Sequence, residues 1–104
     1  MIRGEAWWAE LAEDAGFRPV VIVSRAEGLQ RRRNVTIAEV TRVARSLPCE
    51  VPLSSKDGMP VSCVANTDNL HTIPKDRLRQ RITMLSAERL FALDQALRYS
   101  LDLE

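Results

Sequence analysis

The chain reads as strand-like segments first and a helix last. Residues 4–11 hold Ala6, Trp7, Trp8 and Ala9, a short aromatic-rich segment with the composition of a first strand. A polar loop, residues 12–16, follows, and Arg18 closes it. Residues 19–24 run β-branched without a polar break, as in a strand buried on both faces, with Pro19 in the first position, where a missing N–H is tolerated. Residues 27–34, with Gly28 and the run Arg31, Arg32, Arg33, read as a loop that projects charge into solvent. Strand character resumes over residues 35–41, with Val35, Ile37, Glu39 and Thr41 on one face and Thr36, Ala38 and Val40 on the other. Neither face is cleanly apolar, which is what a strand bordering a polar site shows.

Residues 49–53 and 61–66 form two more short strands, separated by Lys56, Asp57 and Gly58 with their Asp-Gly turn signal, and residues 68–73 continue the pairing after a bend. Lys75 and Asp76 open a turn before residues 77–85, where Arg77, Arg79 and Arg81 alternate with Leu78, Ile82 and Leu85. Ser86 is a suitable N-cap and Glu88 suits the positive end of the helix that follows. Leu90, Leu93, Leu97 and Leu101 then fall on one helical face, the pattern of a core-packing stripe. The expected architecture is mainly β (α+β): a small, strongly curved antiparallel barrel or sheet covered by one C-terminal α-helix.

Length and composition narrow the function. At 104 residues, 45% hydrophobic and 28% charged, residues 1–104 make about one ordinary domain, which excludes a two-domain enzyme. The longest apolar run, residues 19–23, is far below the roughly 20 residues of a membrane span. The first residues lack the basic stretch and apolar core of a secretory signal, so a cytoplasmic location is expected. Cys49 and Cys63 lie 14 apart without a CxxC pattern or a nearby histidine partner. That spacing argues against zinc, gives no disulfide framework, and leaves two small buried or half-buried thiols.

The net charge of +1 is unevenly spread: residues 1–17 sum to −3, whereas residues 18–45 carry seven arginines against two glutamates. Only Lys56 and Lys75 of the fifteen basic residues are lysine. A guanidinium fork suits phosphate oxygens better than a point ammonium does, although a genome that prefers arginine codons would leave the same bias.

Several stretches together are similar to one family. Arg3-Gly4-Glu5-Ala6-Trp7-Trp8, Arg18-Pro19-Val20-Val21-Ile22-Val23-Ser24-Arg25 and the segment from Val35 to Thr41 resemble MazF/PemK-type toxins of bacterial toxin–antitoxin pairs. Leu47-Pro48-Cys49-Glu50-Val51-Pro52-Leu53, the segment from Cys63 to Ile73, and Arg81-Ile82-Thr83-Met84-Leu85-Ser86 continue the match in order and spacing. The resemblance implies an SH3-like barrel of the CcdB/MazF type that forms a homodimer. It implies cutting of single-stranded RNA without metal or cofactor, leaving a 2′,3′-cyclic phosphate and a 5′-hydroxyl and so inhibiting translation. It also implies a MazE-like antitoxin partner whose acidic, flexible C-terminal segment occupies the basic groove. The family's chemical positions fall on Arg18 and Thr41. One departure stands beside them: where many members read Ala-Pro-Leu-Thr-Ser or Ala-Pro-Leu-Thr-Thr, this chain reads Ala38-Glu39-Val40-Thr41-Arg42, which adds a carboxylate and a guanidinium.

Such cleavage must deprotonate a 2′-hydroxyl, protonate the leaving oxygen and stabilise a pentacoordinate phosphorus. His71 is the only histidine, so a two-histidine mechanism is excluded by count, and it reads as structural or RNA-contacting. Arg18 suits stabilisation of the phosphorane, with an ion pair to Glu13 or Asp14 as its structural alternative. Thr41 supplies a neutral hydroxyl donor. Glu39, two residues away on the same strand face, is a candidate general base, with a salt bridge to Arg42 or Arg45 as its alternative. Arg31, Arg32, Arg33, Arg42, Arg45 and Lys56 are candidates for tracking the RNA backbone, and Asn66 and Asn69 for reading base edges. Trp7 and Trp8 point to opposite faces, one towards core and the other towards a surface. Two rivals share the expected fold: a CcdB-like toxin that binds gyrase and cleaves nothing, and a passive RNA-binding module.

Overall fold

The computed structural model describes residues 1–12 and 16–104. Six strands, β1 (Glu5–Glu10), β2 (Phe17–Ile22), β3 (Asn34–Thr41), β4 (Glu50–Leu53), β5 (Cys63–Pro74) and β6 (Leu78–Met84), precede helix α1 (Ala87–Ser100). They form one antiparallel sheet in the order β4-β5-β3-β2-β1-β6, curled into a half-barrel. The curl is visible in the link from β5 to β6. Lys75 donates its backbone N–H to Arg33 at the start of β3, and two residues on, Arg77 donates to the Glu10 carbonyl at the end of β1.

The sheet separates two apolar clusters, and the uninterrupted β-branched run supplies both. Val21 joins Ala6, Val40, Val51, Leu53 and Ala65 beneath α1, while Val20 and Ile22 join Ala9, Leu29, Val35, Ile37 and Leu78 inside the curl. All three β2 residues are fully buried, as expected for a two-sided strand. Pro19, expected to open the strand, is instead its third residue, because Phe17 and Arg18 already pair with Glu10 and Ala9. The β2–β3 ladder starts only at Val20, so the proline stands outside it. Of the two tryptophans, Trp7 packs on the inner cluster and Trp8 borders a surface cavity.

Ser86 caps α1 by accepting the Arg89 N–H, and Leu93 and Ala96 are the helix residues it buries, with Leu90 and Leu97 packed beside them. Leu101 departs from the expected stripe. The helix ends at Ser100, so Leu101 is its C-cap and remains 52% exposed. Asp102 follows at φ 57°, and Leu103 donates back to the Arg98 carbonyl, closing a Schellman-type end.

The bend expected within the fifth strand is a bulge. Ala38 pairs with Leu70, yet Glu39 pairs with Asn66, so Thr67, Asp68 and Asn69 have no partner on β3. Buried Thr67 anchors this excursion: its hydroxyl oxygen lies 2.7 Å from the Cys49 carbonyl and 2.6 Å from Ser100 Oγ. Cys49 and Cys63 are buried and free, and burial raises both thiol pKa values, reinforced at Cys49 by the Asp68 carboxylate.

The Asp-Gly signal between β4 and β5 marks a 3-10 turn, Ser55–Asp57, rather than a tight hairpin. Ser54 and Asp57 form a capping box across it, and Gly58 follows at φ 94°, where an added Cβ would come within 2.4 Å of Thr83 Oγ1. Asp57 also holds Arg89 Nε at 3.0 Å, tying the turn to the first helical turn. Burial pushes its carboxyl up, but the Arg89 guanidinium and the Ser54 N–H outweigh this and hold it below the usual range. A depressed carboxyl stabilises the fold above its unfolded pKa and loses that contribution as pH falls through the folded value. Asp57→Asn is therefore expected to cost about 1–3 kcal/mol in urea denaturation at pH 7. The gap from wild type should narrow as the measurement is repeated towards pH 3.

Candidate active site

The β2–β3 ladder pairs Val20 with Glu39, Val21 with Ala38 and Ile22 with Ile37. Extending that register by two residues puts Arg18 across from Thr41, and the two-residue strand period puts Glu39 on the same face as Thr41. Val35 and Ile37, earlier on this face, are buried in the inner cluster, whereas Glu39 and Thr41 stay half-buried. The mixed character of the strand thus has a spatial cause: its first half faces core and its second half faces a cavity.

That cavity, of about 280 Å³, is lined by Arg18 from β2, Glu39 and Thr41 from β3, Arg45 from the following loop, and Asn66 and Asn69 from the β5 bulge. A second cavity, of about 460 Å³, has mostly apolar walls from Trp8, Phe17, Pro19, Met59, Pro60 and Val61, with Arg42 at its side. Arg18, Val40 and Thr41 line both, so a charged chamber and an apolar chamber meet at the arginine and the threonine.

The hydrogen bonds around the charged chamber fix what each group can still offer. Thr41 Oγ1 accepts the Val43 N–H at 3.2 Å, which leaves its hydroxyl hydrogen to donate to an incoming oxygen. Asn66 Oδ1 accepts the Asp68 N–H at 2.9 Å, which leaves its amide N–H groups as donors. Glu50 Oε1 accepts the backbone N–H groups of Arg45 and Leu47, at 2.9 and 3.2 Å. Those two bonds bracket Ser46, held at φ 56°, so Glu50 is the acceptor that shapes the loop presenting Arg45. Glu39 Oε2 lies 2.5 Å from Nε2 of His71, so its partner is His71 and neither Arg42 nor Arg45. Arg18 is exposed and makes no ion pair among the described residues, while Glu13 and Asp14, its sequence-based alternatives, lie outside them. Among the described residues no group of three or more His, Cys, Asp or Glu is placed to hold a metal ion.

Not every candidate arrives at this place. Arg31, Arg32 and Arg33 belong to the β2–β3 connection, at the other end of β3 from Thr41, roughly 23 Å along the strand at about 3.3 Å per residue. There Arg32 donates to the Arg25 carbonyl at 2.8 Å, and Arg33 borders a separate groove with Lys75. Lys56 is exposed on the 3-10 turn and lines neither chamber. The apolar wall and the role of Glu50 were missed by the sequence reading. Phe17 and Val61, 55% and 42% exposed, look like ordinary strand-forming residues until distant segments bring them together.

Comparison with known proteins places the chain in a family and a fold. A family profile described as PemK-like, MazF-like toxin of type II toxin–antitoxin system matches residues 2–101. The chain is 41% identical over 101 residues to "Probable endoribonuclease MazF2" of Mycobacterium tuberculosis, covering 96% of this chain and 97% of that protein. It superimposes on the structure described as "Mycobacterium tuberculosis toxin MazF-mt6" with a TM-score of 0.87 and 33% identity, over 96% of this chain and 98% of that one. An "Endoribonuclease in complex with its cognate antitoxin from Mycobacterial species" matches with a TM-score of 0.89 and 25% identity, over 100% and 97% of the two chains. No helix among the described residues is long and apolar enough to cross a membrane.

Removing the Glu50 acceptor tests the loop directly. Glu50→Ala is expected to speed amide hydrogen exchange at Arg45 and Leu47 by about tenfold or more, since each lost bond to a carboxylate is worth about 1.5–3 kcal/mol. The exchange rates of Val20, Val21 and Ile22 in the sheet centre should stay at their wild-type values.

Proposed function

We propose, from the premise that this chain belongs to the PemK-like, MazF-like toxin family of type II toxin–antitoxin systems, that it is a sequence-specific, metal-independent endoribonuclease that arrests translation. The observation that carries this reading is the convergence of Arg18, Glu39 and Thr41 on one cavity. Glu39 accepts the proton of a ribose 2′-hydroxyl, and the oxygen so freed attacks the adjacent phosphorus. Arg18, with two parallel donors, and the Thr41 hydroxyl hold the charge that builds on the phosphoryl oxygens. Guanidinium is too weak an acid to be the natural proton source, so Arg18 acts by charge. The 5′-oxygen leaves and takes up a proton from water, and the products are a 2′,3′-cyclic phosphate and a 5′-hydroxyl.

Arg42 and Arg45, beside the same chambers, follow the backbone of single-stranded RNA, in messenger RNA or in exposed loops of transfer or ribosomal RNA. Asn66 and Asn69 face the nucleobases. Arg31, Arg32, Arg33 and Lys56 touch only a substrate longer than the cavity spans. The chain works in the cytoplasm as a homodimer. A MazE-like antitoxin lays an acidic, flexible segment over Arg18, Arg42 and Arg45 and blocks the cavity, a partnership supported by the antitoxin-bound structural relative.

Mapping of 5′ ends in total RNA treated with purified protein in EDTA tests this. New 5′-hydroxyl ends sharing a short sequence are expected, reduced about 10²- to 10³-fold by Arg18→Ala and about tenfold by Thr41→Val. Intact RNA from protein that still arrests growth would overturn the nuclease reading in favour of a gyrase-binding toxin.

A further inference from the structure

We propose that His71 is a positioning residue for the cleavage reaction, holding Glu39 so that one carboxylate oxygen is presented to the 2′-hydroxyl. The inference rests on the reading of Glu39 as proton acceptor. Its structural ground is where the two side chains stand. His71 pairs with Ile37 across the β3–β5 ladder, and Ile73 pairs with Val35 on the same face. Val35, Ile37 and Ile73 pack in the inner cluster, and beyond them on this face Glu39 lines the cavity while exposed His71 stands against Glu39. Immediately beyond Leu70 the three-residue bulge carries β5 away from β3. A regular ladder would set residue 69 opposite Glu39; the bulge sets Asn66 there instead, and His71 makes the contact diagonally.

The hydrogen bond divides the carboxylate into two unlike halves. His71 Nε2–H donates to Oε2, and Oε1 has no partner among the described residues. Held by one oxygen, the carboxylate cannot rotate freely, so Oε1 keeps a fixed direction in the chamber that Arg18 and Thr41 share. During the reaction the 2′-O–H bond breaks with its proton going to Oε1, the 2′-oxygen to phosphorus bond forms, and the bond from phosphorus to the 5′-oxygen breaks as that oxygen takes a proton from water. Glu39 then returns its proton to water.

The same bond makes the base sensitive to the charge on His71. A neutral imidazole orients the carboxylate, whereas an imidazolium would also neutralise it and weaken it as a base. The other charges lining the chamber with Glu39 are Arg18 from β2, Arg45 from the loop after β3 and Glu50 from β4. Glu50 is bound to two backbone N–H groups.

The test is the pH dependence of kcat and KM from pH 5 to 9 on an RNA oligonucleotide carrying the mapped cleavage sequence, with Arg18→Ala as the inactive reference. His71→Ala should lower kcat about 10- to 100-fold at pH 8 with KM within about twofold. His71→Gln, which keeps an N–H donor of similar reach, should recover most of that loss. Glu39→Gln should lose about 10²-fold or more at every pH. His71 is exposed, so circular dichroism and melting temperature should match wild type in both histidine variants. Wild-type kcat in His71→Ala, or a His71→Gln protein no faster than His71→Ala, overturns the proposal while the nuclease reading stands. Wild-type protein that leaves RNA intact overturns both.

Discussion

The antiparallel pairing of β2 with β3 decides where the charged groups of this protein stand. Val20, Val21 and Ile22 are buried on alternating faces, so a one-residue slip would exchange the contents of both clusters. That penalty fixes the register through Val20↔Glu39. Once it is fixed, Arg18 and Thr41 come opposite each other just past the paired core, where the strands no longer need apolar side chains. The cavity is a consequence of a well-buried ladder that ends.

Around this ladder, local devices convert an ordinary curled sheet into a shaped site. The β5 bulge opens the space above Glu39, and Thr67 secures it to Cys49 just before β4 and to Ser100 at the end of α1. Glu50 spends its carboxylate on backbone N–H groups, so the loop carrying Arg45 has a defined path despite the positive φ of Ser46. Asp57 fastens the turn after β4 to Arg89 at the start of α1. In each case a buried or half-buried polar group is satisfied by backbone or by one opposite charge, which is the condition for holding polar residues near a core at modest cost.

Much of this was legible because it is periodic. The β-branched run declared a strand with two buried faces, the alternation through Glu39 and Thr41 placed both on one face, and Ser86 with the leucine spacing located α1 within a residue. The bend between residues 66 and 68 was legible too, although its nature as a bulge depends on where β3 lies. What periodicity cannot supply is the meeting of distant segments. Phe17, Met59 and Val61 form one wall only because the sheet curls, and nothing local distinguishes them from other apolar residues. The same limit explains the arginines. A run such as Arg31, Arg32 and Arg33 announces charge but not which end of β3 it decorates, and it sits at the end away from Thr41. Leu101 fell off the helical stripe because the helix stops one residue before it.

The proposed place of phosphodiester cleavage is the junction of the charged and apolar chambers, where Arg18, Val40 and Thr41 line both. A structure of the protein bound to an oligonucleotide made uncleavable by a 2′-deoxy sugar at the cleavage position measures this most directly. The scissile phosphate should lie within hydrogen-bond distance, about 2.6–3.2 Å, of the Arg18 guanidinium and Thr41 Oγ1, with the 2′ carbon facing Glu39. A scissile phosphate seated elsewhere, for instance over Arg31, Arg32 and Arg33, would contradict it.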